Sequence, residues 1–162
     1  MRTGQKEITC CFTGHRCLPS GVILPLRSAV KDAIRHLLLQ GVVYYGVGGA
    51  IGFDTLAAEA LFELREEFPQ LRVILVYPFA GFFSWWSIAE QERYQTLLPL
   101  YDKTVCISST PSREAYLARN RHLVDHSACC VAYCRHSYGG TAYTLRYAQE
   151  RNCKIWNLFP VR

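Results

Sequence analysis

The chain of 162 residues lacks a hydrophobic run long enough to cross a membrane. Its longest apolar stretch, residues 73–83, is interrupted by Pro78 and Gly81, whereas a spanning helix needs about 20 apolar residues. Residues 1–7 are mostly polar and lack the apolar core of a secretory signal peptide. We therefore expect a cytoplasmic protein with no membrane partner.

The sequence also lacks the features of a disordered or multidomain chain. Half of its residues are hydrophobic and 19% are charged, which excludes intrinsic disorder. No linker, repeat or low-complexity segment interrupts it, and its length is typical of one folded unit. We expect a single domain over residues 1–162.

Features that bind metals or build disulfide scaffolds are scarce. The eight cysteines form no CxxC pair and are too few for a disulfide scaffold, so free cysteines in predicted strands are expected to pack as small hydrophobic side chains. His122 and His126 have the i, i+4 spacing of a helical zinc site, but Leu123 stands where the HExxH motif requires glutamate. The sequence predicts neither a metal site nor a required cofactor.

The common signatures of nucleotide-binding enzymes and hydrolases are missing too. There is no Walker A pattern and no GxSxG elbow, which argues against a P-loop NTPase and an α/β hydrolase. The dinucleotide fingerprint GxGxxG fails, because Ile51 stands where the third glycine would follow Gly46 and Gly48.

The net charge of +5 is unevenly distributed. Residues 1–112 carry ten basic and ten acidic residues, whereas residues 113–162 carry eight basic and three acidic residues. Such a bias suits a phosphorylated small molecule or a nucleic acid. An ordinary basic surface is the alternative interpretation.

Short apolar runs alternate with segments of helical periodicity along the whole chain. Strands are predicted over residues 8–13, 42–45, 72–77, 103–108, 129–134 and 154–158. Helices are predicted over residues 25–40, from 54 to about 68, over 88–98, from about 111 to 125, and over 140–151. Because most strands are continuously apolar, we expect a mainly parallel sheet with helices on both faces, a doubly wound α/β fold.

Three of these strands end in glycine-containing loops, at residues 13–16, 46–52 and 137–141. Glycine lets the backbone approach a ligand closely, and a following helix offers free N–H groups. Because ligands bind beyond the carboxyl ends of such strands, the loops predict a phosphate cradle, with Arg16 adding charge and Thr141 a hydroxyl donor. Each loop alone could also be a simple tight turn.

Two further positions could act at the same edge. Asp54 follows the second loop, where it would either cap the next helix or offer a carboxylate. Arg119 and Asn120 lie late in the fourth predicted helix. Because Arg119 and Arg121 are two positions apart, they face different directions, so one can enter the cleft while the other is solvated. A solvated helix end is the alternative. Asp54 and Arg119 are the candidate catalytic residues.

Taken in order, these motifs resemble a known family. They are Cys11-Phe12-Thr13-Gly14-His15-Arg16, Gly48-Gly49-Ala50-Ile51-Gly52-Phe53-Asp54, Tyr77-Pro78-Phe79, Arg119-Asn120-Arg121 and Gly139-Gly140-Thr141. The combination is similar to the YpsA-like group of the SLOG superfamily, named for the Smf/DprA and LOG proteins. The resemblance implies a Rossmann-like fold that holds a nucleotide or nucleotide derivative. The implied binding residues are Thr13, Gly14, His15, Arg16, Gly48, Gly49, Ala50, Gly52, Asp54, Arg119, Asn120, Gly139, Gly140 and Thr141.

The resemblance leaves open whether a reaction is catalysed. LOG relatives are phosphoribohydrolases with a PGGxGTxxE motif. Here Gly140 and Thr141 match its GT, but the proline is missing and Thr144 stands at the catalytic glutamate position. A threonine cannot replace a carboxylate as acid or base, so hydrolysis would require another carboxylate, such as Asp54 or Glu90.

Aromatic residues are concentrated in residues 79–86. Phe79, Phe82 and Trp86 are predicted to form a wall against which a base stacks. Burial under a helix or a subunit contact would explain the same residues, so a homo-oligomer is a further expectation.

Three functions follow from these observations. The first is nucleotide binding as a sensor or regulator, and the second is an N-glycosidase acting on nucleoside monophosphates. The third is binding of single-stranded DNA, as in DprA relatives. The phosphorylated small molecule is the favoured partner, and nucleic acid is the lesser alternative.

Overall fold

The apolar runs form the strands of one parallel sheet in a computed structural model, which describes residues 4–161. The strands are β1 (Thr9–Gly14), β2 (Tyr44–Val47), β3 (Arg72–Tyr77), β4 (Lys103–Cys106), β5 (Cys129–Tyr133) and β6 (Lys154–Asn157). Their order in the sheet is β4-β3-β2-β1-β5-β6, and every neighbouring pair is parallel. The predicted doubly wound α/β fold is confirmed.

Five helices connect these strands. They are α1 (Ile23–Leu39), α2 (Phe53–Glu67), α3 (Ile88–Leu97), α4 (Arg113–Asp125) and α5 (Gly139–Glu150), with short 3₁₀ turns at Gln5–Ile8, Ser20–Val22 and Leu98–Leu100. Ser87 and Ser112 cap α3 and α4 by accepting hydrogen bonds from backbone N–H groups. Within residues 4–161, no helix is long and apolar enough to span a membrane.

The helices cover both faces of the sheet and bury two apolar clusters. The larger cluster lies beneath α1 and α2 and includes Phe12, Tyr45 and Phe53. The smaller one lies beneath α4 and α5 and includes Cys11 and Cys130. Neighbouring residues of one strand thus point to opposite faces, as the period of a strand requires.

The second strand begins two residues later than the sequence predicts. The backbone N–H of Val42 donates to the carbonyl of Leu37 (3.0 Å) in the turn that ends α1. Gly41 has a positive φ of 91°, so this turn continues past the end of the helix. As a result Gly46 and Val47 pair with β3, and only residues 48–52 remain as a loop.

Strand order reverses beside β1, which has β2 on one side and β5 on the other. The chain leaves β1 and β2 for helices on one face, and it enters β5 from α4 on the opposite face. In open α/β sheets, a crevice forms at this point beyond the carboxyl ends of the strands. The fold therefore brings the loops after β1, β2 and β5 together.

Candidate functional site

A cavity of about 670 Å³ lies at this reversal point. It brings together ten of the predicted binding residues: Thr13, Gly14, His15, Arg16, Ala50, Asp54, Arg119, Asn120, Gly140 and Thr141. The remaining lining residues include Trp85 and the α4 residues Arg113, Tyr116 and Leu117, which sequence analysis missed. The cavity thus has three arginines and one carboxylate among its lining residues.

Four predicted glycines lie behind or beside the cavity instead of lining it: Gly48, Gly49, Gly52 and Gly139. Gly52 makes the closest approach, since an added Cβ would lie 2.2 Å from the carbonyl oxygen of Arg16. Beside it, the N–H of Phe53 donates to the carbonyl of His15 (3.0 Å). Gly52 therefore joins the start of α2 to the loop that carries His15 and Arg16.

Asp54 is not the N-cap of α2, which corrects one of the two predicted roles. The cap position is Gly52, and Asp54 lies in the first turn of the helix. Its carboxylate turns back and accepts a hydrogen bond from the N–H of Ala50 (3.2 Å). The Thr55 hydroxyl donates to the carbonyl of Ala50 (2.9 Å), so both side chains fix the loop before the helix.

Arg119 is buried against the same loop, with 4% of its surface exposed. Its guanidinium donates to the carbonyl of Gly48, and its Nε donates to Oδ1 of Asn120 (2.7 Å). Arg121 points elsewhere, toward Glu114 and the Tyr143 hydroxyl. The two arginines face different directions, as their spacing predicts, and it is Arg119 that enters the cleft.

The charges of Asp54 and Arg119 meet around Gly48. A Cβ on Gly48 would lie 2.9 Å from both Oδ2 of Asp54 and Nη1 of Arg119. Burial raises the pKa of Asp54, and the positive charge of Arg119 opposes that rise. Burial likewise lowers the pKa of Arg119, and the charge of Asp54 opposes that change. Because glycine has no side chain, position 48 leaves room for both the Asp54 carboxylate and the Arg119 guanidinium.

Arg16 lies above a tyrosine ring at the cavity. Its guanidinium carbon is 5.1 Å from the centre of the Tyr116 ring, and that of Arg119 is 5.8 Å from the same ring. Both distances lie within the range of cation–π attraction. Tyr116 therefore helps hold two cations beside the cavity.

His15 is held in a defined protonation state. Its Nε2 accepts a hydrogen bond from the backbone N–H of Arg135 (2.9 Å). Burial lowers the pKa of His15, and the nearby His136 and Arg135 lower it further. With Nε2 as an acceptor, the neutral ring carries its proton on Nδ1, so His15 is a neutral donor at this edge.

The N-terminus of α5 faces the cavity with its backbone accessible. Tyr138 occupies the cap position, and no side chain of the described residues caps this helix. A Cβ on Gly139 or Gly140 would meet no described atom within 4 Å, and Gly139 has a φ of 92°. The first N–H groups of α5 are therefore free to bind an anion.

The predicted aromatic wall is wrong. Phe82 is only 2% exposed and packs against Trp86 and Tyr94 in the core, and Phe79 packs edge-on against Tyr116. None of Phe79, Phe82 and Trp86 lines the cavity; the aromatic residue of this segment that does is Trp85, which is 63% exposed.

The comparisons with known proteins identify the family and the fold of the chain. The model of the YpsA family, described as the YspA SLOG family, matches residues 20–158. The chain belongs to the YspA SLOG family. It is 26% identical over 149 residues to the UPF0398 protein of Bacillus velezensis, which covers 86% of this chain and 82% of the relative. It is also 26% identical over 129 residues to the UPF0398 protein YpsA of Bacillus subtilis, which covers 78% of this chain and 72% of the relative.

Two solved structures of DNA processing protein A share the fold of this YspA SLOG chain. The Helicobacter pylori protein has a TM-score of 0.65 at 19% identity, and the match covers 93% of this chain and 64% of that chain. The Streptococcus pneumoniae protein has a TM-score of 0.68 at 16% identity, covering 93% of this chain and 50% of that one. This chain therefore spans less than two thirds of either protein. A single-stranded DNA binding mode is described for the Helicobacter pylori protein.

In this member of the YspA SLOG family, Thr144 has a structural role. It is 2% exposed, and its hydroxyl donates to the carbonyl of Gly140 (2.9 Å) within the first turns of α5. Thr144 is not among the residues that line the cavity. The position that carries the catalytic glutamate in LOG enzymes therefore supports the helix N-terminus here.

The buried carboxyl of Asp54 makes the free energy of unfolding depend on pH. Because burial raises the pKa of folded Asp54, its contribution to stability is complete below the unfolded-state pKa of about 3.9. That contribution is lost as pH rises through the folded-state pKa. We expect the free energy of unfolding of the wild type, measured in urea relative to Asp54→Asn, to fall as pH rises from about 4 to about 7. A difference that increases over this range would contradict the assignment.

Proposed function

We propose that the cavity binds a nucleotide or a nucleotide derivative and that the protein acts as a nucleotide sensor or regulator. The observation that carries the proposal is the convergence of an uncapped helix N-terminus and Arg16 on one cavity at the strand reversal. A volume of about 670 Å³ lies within the usual range for small-molecule sites.

The phosphate would lie against the N-terminus of α5. The free N–H groups there, together with the Thr141 hydroxyl, provide hydrogen-bond donors. Arg16 lies on the loop after β1 and supplies a cation at the same cavity. Arg119 already donates to the Gly48 carbonyl and lies near Asp54, so its main role would be to hold the second loop in place.

The base would lie toward Trp85 and α4. Trp85 exposes most of its indole, and Leu117 adds an apolar surface to the same cavity. Arg113 has a guanidinium that can stack on a base or pair with a second phosphate. This combination of aromatic, apolar and cationic groups suits a ligand with a ring at one end and a phosphate at the other.

Hydrolysis of a bound nucleotide is the second candidate, and Asp54 is the observation that favours it. Its carboxyl lines the cavity, and burial raises its pKa, as in carboxylic acids that donate a proton during glycoside hydrolysis. This reaction would release free base from a nucleoside monophosphate, whereas a sensor would return the ligand unchanged.

Binding is tested with a matched pair of arginine variants. Arg16 lies over Tyr116 at the cavity, whereas the exposed Arg151 lies over Tyr147 on α5 and does not line the cavity. We expect the affinity for a nucleotide found by thermal-shift screening to fall about 10- to 100-fold in Arg16→Ala, since a hydrogen bond to a charged group contributes about 1.5–3 kcal/mol. The affinity should remain unchanged in Arg151→Ala. Isothermal titration calorimetry measures both.

Three results distinguish the candidate functions. Ligand recovered intact by mass spectrometry supports a sensor, and free base that appears with the wild type but not with Asp54→Asn supports hydrolysis. If no nucleoside monophosphate, dinucleotide or ADP-ribose raises the melting temperature, nucleotide binding is refuted. Salt-dependent binding of oligonucleotides would then indicate a single-stranded DNA protein.

A further inference from the structure

Four of the eight cysteines form two pairs on neighbouring strands. Cys10 of β1 lies opposite Cys129 of β5, and Cys11 lies opposite Cys130 in the same register. Neighbouring strands are about 4.8 Å apart, and disulfides typically join Cα atoms roughly 4.4–6.8 Å apart. Each pair is therefore close enough to be joined by a disulfide.

The two pairs differ in their access to solvent. Successive residues of a strand point to opposite faces, so Cys10 and Cys129 share the α1 face while Cys11 and Cys130 share the α5 face. Cys10, Cys11 and Cys130 are buried, whereas Cys129 is partly exposed. Cys129 is therefore the one residue of these four that is partly open to solvent in the folded protein.

The neighbours of Cys129 favour its thiolate form. Lys154 of β6 is the register partner of Cys129 on the side opposite Cys10, so the chain places a cation and a second thiol on either side of it. The neighbouring Cys10 thiol and the charge of Lys154 lower the pKa of Cys129, although its burial opposes this. Burial raises the pKa of Cys10, which favours its protonated form, and this thiol donates to the carbonyl of Cys11 (3.4 Å).

We propose that Cys129 is a redox-reactive thiol that forms a reversible disulfide with Cys10. The Cys129 thiolate attacks one oxygen of hydrogen peroxide, the O–O bond breaks, and Cys129 becomes a sulfenic acid. The departing hydroxide leaves as water after it takes up from solvent the proton that Cys129 released on ionisation. The Cys10 sulfur then attacks the sulfenic sulfur, and the displaced hydroxide leaves as a second water with the Cys10 proton. The sum is two thiols and one peroxide giving one disulfide and two waters. An accessible thiolate beside a resolving cysteine is the arrangement that redox sensing requires.

The modification would occur on the strands that lead to the cavity. Four residues after the cysteine pair, the same register joins Gly14 to Tyr133, next to His15 and Arg135. The hydrogen bond between His15 and Arg135 links the two strand ends there. A bond between Cys10 and Cys129 would thus tie the two strands that carry this part of the site.

The test uses a parent protein in which the exposed Cys17 and Cys106 are replaced by serine. After treatment of the folded protein with hydrogen peroxide, we expect a disulfide linking the peptide that contains Cys10 to the peptide that contains Cys129, detected by mass spectrometry. This disulfide cannot form in Cys129→Ser, and the loss of free thiols under peroxide should slow about tenfold or more in that variant, because the attacking thiolate is lost. The matched Cys130→Ser variant should retain the parent rate.

A second variant tests the order of the two steps. In Cys10→Ser, the sulfenic acid on Cys129 should persist and become trapped by dimedone, with no disulfide formed. The proposal is overturned if the parent forms no disulfide between Cys10 and Cys129, if Cys129→Ser loses free thiols at the parent rate, or if dimedone labels another cysteine instead. Dithiothreitol should restore both thiols of the parent and the circular dichroism spectrum of the reduced protein.

Discussion

Replacing Gly52 with alanine is expected to lower the free energy of unfolding by about 3 kcal/mol or more. Gly52 has a φ of 80°, a conformation that costs a residue with a Cβ about 1–3 kcal/mol. In addition, the Cβ would lie 2.2 Å from the carbonyl oxygen of Arg16 and 2.6 Å from that of His15. Both contacts are with backbone, so rotation of a side chain cannot relieve them.

Gly81→Ala is the matched control for this change. Gly81 has a similar φ of 76°, but a Cβ there would meet no described atom within 4 Å. The free energy of unfolding of Gly81→Ala should therefore fall only by the conformational cost of a positive φ, about 1 kcal/mol. Urea denaturation at constant m value measures both losses. Equal losses in the two variants would show that the loop after β1 does not depend on contact with Gly52.

The ligand affinity provides a second measurement for the same pair of variants. Gly52→Ala must displace the backbone of residues 15–16, and with it the guanidinium of Arg16 at the cavity. Under the proposed function, nucleotide affinity should fall with stability in Gly52→Ala and remain unchanged in Gly81→Ala. Affinity is measured at a temperature where both variants are fully folded.

The contact at Gly52 also shows why the loops could be predicted but not their roles. Their place at strand ends follows from alternation of apolar runs and helical periodicity, because parallel strands must end at a common edge. Whether a glycine faces a ligand or another loop depends on a partner far along the chain. Arg16 and Gly52 are 36 positions apart in the sequence, so no local signal indicates their contact.

The aromatic segment was mispredicted for a different reason. Phe82, Trp85 and Trp86 lie in an irregular stretch of turns between β3 and α3, where no fixed period says which side chain is buried. Composition alone indicated an aromatic wall, but the segment buries Phe82 and Trp86 and exposes Trp85. The structure was needed to make that distinction.

The missed residues of α4 did carry a signal. Arg113, Tyr116, Leu117 and Asn120 have the i, i+3, i+4, i+7 spacing of one helix face. Because Asn120 was already a candidate, this spacing would have indicated the other three as its neighbours at the cavity. In a regular helix, one predicted site residue thus indicates which other residues share its face, whereas a loop has no period that would do this.

Replacing Arg119 with methionine is expected to destabilise the protein by about 2–3 kcal/mol, the usual cost of leaving a buried polar group without its partner. Methionine fills a similar space but leaves Asp54 without the cation that opposes its raised pKa. It also leaves the carbonyl of Gly48 without the donor that Arg119 provides. Arg121→Met is the control, because Arg121 forms a partly exposed ion pair with Glu114 that is worth at most about 1 kcal/mol.

The Arg119→Met/Asp54→Asn double variant separates the charge from the packing. If the loss in Arg119→Met arises mainly from an unpaired carboxylate, the double variant should lose less free energy of unfolding than the two single variants lose together. We expect this difference to be about 1–3 kcal/mol. Losses that simply add would mean that Arg119 acts through its contacts with Gly48, Asn120 and Tyr116 and not through the charge of Asp54. This difference between the double variant and the summed single losses should also become smaller at low pH, because protonation of Asp54 removes the negative charge from every variant that retains it. Urea denaturation of the four proteins at about pH 7 and about pH 4 therefore tests whether the buried charges hold the second loop at the cavity.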